Sequence, residues 1–154
     1  MAVVKLISAN ELEFLRSLVD EGVEFMIVGL AAAALQGSSA VTQDIDLWFA
    51  DRAAENLQRA LQKVGVSYIP PSLSNPPLLA GAKANLFDIV VHMHGLGTFE
   101  EERKNAKFIK LRGISLPVLP LDRIIASKEA ADRPKDRAVL PVLREELQVI
   151  EDET

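Results

Sequence analysis

The chain contains no cysteine, which removes disulfides, thiolate metal sites and thiol nucleophiles together and is compatible with a reducing compartment. It also lacks a long hydrophobic run: the longest, about 25–35, is interrupted by Gly29 and falls short of the ~20 residues a spanning helix requires. No secretory leader is legible, because Lys5 is followed by polar Ser8, Asn10 and Glu11 rather than by a continuous apolar stretch. The expectation is a cytoplasmic protein with no membrane partner. Positive charge is scarce as well. With 17 Lys and Arg against 22 Asp and Glu, the formal charge of −5 argues against a generally basic, phosphate-coating surface and confines any nucleic-acid contact to a local patch. Four catalytic signatures are missing: the Gly-x-x-x-x-Gly-Lys phosphate loop, the dinucleotide fingerprint, His-Glu-x-x-His and the Gly-x-Ser-x-Gly elbow.

What is present suits one folded domain. A length of 154 residues can enclose a real core, and 49% apolar with 25% charged residues is ordinary for a globular protein. The pattern mixes α and β. Ser8 and Glu11 have capping-box spacing ahead of a helix over about 9–19, in which Leu12, Leu15, Leu18 and Val19 form the buried stripe and Gly22 the stop. Residues 24–28 read as a buried strand. After Gly29, the run Leu-Ala-Ala-Ala-Ala-Leu predicts a short helix packed closely on a sheet and ended by Gly37. A second strand follows over 44–49, then a helix capped by Asp51 with Ala54, Leu57, Leu61 and Val64 inward. Pro70, Pro71, Pro76 and Pro77 mark a loop. Strands are expected at 86–92, 108–111 and 114–118, the last two joined near Gly113, and helices at about 121–131 and 134–148. The implied organisation is a core over about 8–118, C-terminal helices over about 121–148 and an acidic tail at 149–154.

The chemistry rests on acids where a core strand would not normally tolerate them. On the 44–49 strand, Asp44, Asp46 and Trp48 share one face, which sets the two carboxylates side by side about 7 Å apart at their Cα atoms. Their like charges repel unless a cation or donor compensates, and divalent magnesium would turn that repulsion into ligation. The alternative is a pair of edge-strand acids facing water; the spacing from Gly29 and the presence of Thr42 favour the metal. Asp88 interrupts the apolar run 86–92 and is the candidate third acid, from an adjacent strand, though an aspartate there can also cap a turn.

These residues carry a resemblance. Val28-Gly29-Leu30, thirteen residues, then Asp44-Ile45-Asp46-Leu47 resembles the signature of the DNA polymerase beta-like nucleotidyltransferases, in which a strand ends in Gly-Gly or Gly-Ser, a short helix follows, and the next strand presents Asp-x-Asp. Ala32, Ala33, Gly37 and Thr42, with the later Lys128 and the Arg133, Lys135, Asp136 segment, resemble the small bacterial and archaeal branch related to abortive-infection (AbiEii-type) toxins. The resemblance covers roughly 25–143. It implies the nucleotidyltransferase fold, a central mixed sheet flanked by helices. It further implies transfer of a nucleoside monophosphate from a nucleoside triphosphate such as ATP to an acceptor hydroxyl on RNA, protein or a small molecule, in a toxin–antitoxin-type setting for that branch. Asp44 and Asp46 would hold the magnesium that organises the triphosphate, and Asp88 a second ion while helping to deprotonate the acceptor. Gly29 would let backbone approach the phosphates, with the following helix offering free amides. Leu30 departs from the pattern, since a side chain stands where the family has glycine or serine; Ser38, Ser39, Thr42 and Lys128 are the remaining candidates for nucleotide contact. A homodimer or partner protein would complete an acceptor pocket in a chain of this size. The second class of reading is a fold that has lost catalysis and works as a binding or regulatory module.

Three further groups are weaker. Arg133 and Lys135 either grip phosphate or sit on a solvated helix end, with Asp136 aiding the helix start behind Pro134. His92 and His94, in phase with Asp88, are expected to be polar punctuation at a strand end rather than ligands. The basic run Arg103, Lys104, Lys107, Lys110 and Arg112 lacks interleaved aromatics and reads as a solvated face.

Overall fold

The computed structural model describes residues 7–153; Lys5 and the last residue of the acidic tail lie outside them. Helix α1 (Ala9–Asp20) starts where the capping box places it, with the Ser8 amide donating to Glu11 at 3.1 Å. It buries Phe14, Leu15 and Leu18 completely. Strand β1 (Phe25–Val28) has all four side chains buried and runs directly into α2 (Gly29–Leu35). Ala31 to Ala34 of α2 are all buried, so methyl-sized side chains let the helix lie close on the sheet. Strand β2 (Ile45–Phe49) follows, and Asp44 sits immediately before it rather than within it.

Helix α3 (Glu55–Lys63) begins later than Asp51 capping would require. Ala54 occupies the cap, and the Asp51 carboxylate instead accepts from the Ala53 amide at 2.9 Å, a local turn that competes with helix capping. The proline-rich loop is flanked by two short strands, β3 (Ser67–Ile69) and β4 (Leu78–Ala80), which pair antiparallel as a separate two-stranded sheet. A 3-10 turn (Ala82–Ala84) leads into β5 (Phe87–Val90), shorter than the expected 86–92. Helix α4 (Phe99–Arg103) was not anticipated, although Thr98 and Glu101 form a capping box. Strands β6 (Lys107–Leu111) and β7 (Ile114–Val118) make a hairpin whose turn residues Arg112 and Gly113 both have positive φ. Helices α5 (Leu121–Ala131) and α6 (Pro134–Asp152) close the chain, and α6 absorbs most of the segment expected to be a tail.

The main sheet has the order β5-β2-β1-β7-β6 and is mixed: β2 is antiparallel to β1 and parallel to β5, while β7 is parallel to β1 and antiparallel to β6. The expected central mixed sheet with flanking helices is therefore the observed fold. The β1–β7 junction is narrow, with one register pair, Ile27 with Val118, and a Leu119 amide donating to the Ile27 carbonyl at 3.0 Å. Gln36, at the end of α2, braces it by donating to the Leu119 carbonyl at 2.8 Å and accepting from the Leu121 amide at 3.1 Å. Among the described residues, no helix is long and apolar enough to cross a membrane.

Candidate active site

Parallel pairing of β2 with β5 puts Asp46 directly beside Asp88. Both side chains, with Asp44 from the turn before β2, line a cavity of about 500 Å³ at the end of β1. None of the three carboxylates has a hydrogen bond or ion pair among the described residues. The consequence is electrostatic strain. Burial, then the neighbouring Asp88 and Asp44, hold the Asp46 carboxyl above the ordinary aspartate range. Burial and Asp44 raise Asp88 in the same direction.

Gly29 is fitted to Asp46. Its φ is +67°, and a Cβ there would lie 2.8 Å from Asp46 Oδ2. Only glycine both tolerates the left-handed backbone and leaves room for that oxygen. Thr42 lines the same cavity and fixes the approach to β2: its hydroxyl donates to the Asp44 carbonyl at 2.8 Å and accepts from the Asp44 amide at 3.3 Å. Leu30 also faces the cavity and is half-buried.

The opposite wall is cationic and comes from the C-terminal helices. Lys128 of α5 and Arg133 and Lys135 at the start of α6 line it. Lys128 is largely enclosed; burial lowers its pKa, while Asp136, 3.5 Å away, and Asp46 work against the shift. Asp136 itself is fully buried. Burial alone would raise its carboxyl, but hydrogen bonds from the Arg133 guanidinium at 2.7 Å and the Arg133 amide at 3.1 Å, with the Lys128 charge, hold it below the ordinary range. Asp136 thus ties the start of α6 to Lys128. That is more than the helix-start role read from Pro134, which does occupy the first helical position.

The structure brings together Asp44, Asp46, Asp88, Gly29, Leu30, Thr42 and Lys128, and it leaves Ser38 and Ser39 out. The Ser38 hydroxyl donates to Glu146 at 2.6 Å and the Ser39 amide to the same carboxylate at 2.7 Å, clasping the loop after α2 to α6 outside the cavity. His92 and His94 do line the cavity, with their rings edge to face at 5.0 Å. In the basic run, Lys107 and Lys110 are exposed, whereas Arg103 stacks over the Phe108 ring at 4.9 Å.

The three carboxylates are unpartnered, hard oxygen donors of the kind a divalent cation takes, and those of Asp46 and Asp88 are held above the ordinary aspartate range. Among the described residues no three His, Asp or Glu side chains converge tightly enough to enclose an ion.

No protein-family model matches the sequence, and no curated protein matches it. A solved structure does match by fold. The crystal structure of the aminoglycoside nucleotidyltransferase ANT(2")-Ia in complex with adenylyl-2"-tobramycin superposes with a TM-score of 0.59, over 92% of this chain and 89% of that one, at 17% identity. The fold is that of a nucleotidyltransferase.

Proposed function

We propose that this protein is a magnesium-dependent nucleotidyltransferase that moves a nucleoside monophosphate from a nucleoside triphosphate to an acceptor hydroxyl. One observation carries the reading: three unpartnered carboxylates face three cations across a single cavity large enough for a nucleotide. A triphosphate with its magnesium complements both walls. Asp44 and Asp46 would hold the ion that neutralises the phosphates, with Asp88 available to a second; bound magnesium supplies charge neutralisation at the attacking and leaving oxygens.

The chain's own residues do the rest. Lys128, held in place by Asp136, and Arg133 and Lys135 receive the phosphate charge and position the triphosphate. Asp88, with its raised pKa, accepts the proton of the acceptor hydroxyl. The acceptor oxygen forms a bond to the α-phosphorus, the bond from that phosphorus to the bridging oxygen breaks, and pyrophosphate leaves with the electron pair.

A small-molecule acceptor is favoured over RNA or protein. The neighbour with an adenylylated small molecule is nearly matched in length by this chain, so the fold at this size accommodates such a ligand. The sequence resemblance to the AbiEii-related branch supports the other acceptors and a toxin–antitoxin setting. Leu30 favours a second reading, a binding or regulatory module of the same fold without turnover, because its side chain stands in the cavity wall where the family's small residue would be.

Calorimetric titration of ATP, GTP, CTP and UTP, with and without magnesium, into the wild type and the Asp44→Ala plus Asp46→Ala variant tests the proposal. Magnesium-dependent binding that disappears in the variant supports it, and transfer of labelled nucleotide to a hydroxylated acceptor separates enzyme from module. A folded wild type that binds no triphosphate rejects the transferase and leaves the binding or regulatory module.

A further inference from the structure

A second cavity, of about 560 Å³, adjoins the first and shares Val90, Val91 and His92 with it. Trp48 and Val90 are register partners on β2 and β5, two residues beyond the Asp46–Asp88 pair and on the same sheet face. That spacing sets the second cavity about 7 Å along the strands from the carboxylates. Its inner wall is aromatic, with Trp48 and Phe99 edge to face at 5.4 Å. The residues between the cavities are fixed rather than loose. Gly95 lies against α5 so closely that a Cβ would meet Ala130 at 2.5 Å. The Gly97 amide donates to Glu102, which is 4% exposed and takes two bonds from Arg123 at 2.8 Å.

Arg52 also lines this cavity. Its guanidinium makes no ion pair or hydrogen bond among the described residues, and its Nη1 is enclosed without an acceptor. A buried donor left unpaired is costly, and most native structures supply it with a partner. The one carboxylate in the lining, Glu100, is exposed at the rim and makes no bond to Arg52.

From this we infer that the second cavity is the acceptor subsite, and that it takes a small molecule with a flat or apolar body and one anionic group, seated on the Trp48–Phe99 wall with its charge on Arg52 and its hydroxyl towards Asp88. The inference rests on the nucleotidyltransferase reading for the word acceptor, but the binding site stands on its own residues. It points away from polycationic acceptors, which an unpaired guanidinium repels. Carboxylate and phosphate share the required chemistry.

The chain has a single tryptophan, Trp48, so intrinsic fluorescence reports on this cavity directly. Phenylacetate, phenyl phosphate, neutral phenylacetamide and cationic phenethylamine form a charge series that lacks a hydroxyl and therefore is not consumed. One or both anions are expected to bind about tenfold or more tighter than the neutral and cationic probes, the tighter of the two identifying the group. Arg52→Gln should abolish that preference and Arg52→Lys should restore part of it, with circular dichroism showing both folded. Saturating magnesium and ATP should leave anion affinity within about twofold, as for independent sites. Equal binding across the series, no binding, or an Arg52→Gln protein with unchanged preference overturns the proposal, as does competition between ATP and the anions. Anion binding without ATP binding would sink the transferase reading alone.

Discussion

Replacing Gly29 by alanine tests whether the turn from β1 into α2 is shaped around the Asp46 carboxylate. Two costs are separable. An alanine held at φ +67° pays about 1–2 kcal/mol for the left-handed conformation. Its Cβ, 2.8 Å from Asp46 Oδ2, also forces the carboxylate to turn, at about 0.5–1.5 kcal/mol for a side chain pushed off its rotamer. The sum, roughly 1.5–3.5 kcal/mol, lowers the melting temperature by about 2–4 °C per kcal/mol in a chain of this size. Denaturant unfolding of wild type, Gly29→Ala, Asp46→Ala and the double variant isolates the second part. With the carboxylate gone, the glycine substitution should cost only the backbone share, leaving a coupling of about 0.5–1.5 kcal/mol. Magnesium-dependent ATP binding should suffer more than stability, because the displaced carboxylate is the proposed ligand. An equal cost of Gly29→Ala in both backgrounds, or a variant that binds magnesium and ATP like wild type, would refute the argument.

Three other outcomes are expected. Asp46→Asn should raise the melting temperature at neutral pH without metal, since the native state binds the Asp46 proton more tightly than the unfolded state. That gain should fade as the pH falls from neutral through the raised pKa towards the ordinary aspartate value, and magnesium should stabilise wild type more than the variant. Asp136→Ala should cost about 2–3 kcal/mol in chemical denaturation, less than for a wholly buried ion pair because Arg133 is 52% exposed, and should weaken triphosphate binding by releasing Lys128. Leu30→Ser should tighten triphosphate binding by up to about tenfold, the worth of one added hydrogen bond; weaker binding would show that the leucine is part of a built pocket.

The sequence disclosed what local spacing encodes. Period and caps located α1, α2 and the two C-terminal helices, and the acids of β2 and β5 were visible because a carboxylate in an apolar run is conspicuous. The pairing of Asp46 with Asp88 depends on strand order, which no local pattern states. Ser38 and Ser39 looked available to a nucleotide because their partner, Glu146, is more than 100 residues away. Asp51 looked like a cap because capping and an Asx turn use the same side-chain chemistry, and only the backbone geometry chooses between them. Helix α4 is absent from the sequence reading although Thr98 and Glu101 carry the capping-box spacing that marks its start, because five residues are too few to show a helical period. Arg52 gave no sequence signal, since an arginine after a strand is commonplace; what distinguishes it is the lack of any partner once the chain is folded.

The narrow β1–β7 junction divides the cavity's charges between two halves of the molecule. The carboxylates stand on β5, on β2 and just before β2, beyond β1, while Lys128, Arg133 and Lys135 belong to the segment that follows β7. Any ligand that bridges acids and cations therefore crosses a seam where the strands share one register pair, braced by Gln36 and by the Ser38 and Ser39 bonds to Glu146, and adds a further tie between the two halves. Amide exchange at Leu119 and Leu121 registers that tie, slowing when both walls are engaged and staying fast for a ligand that touches only one.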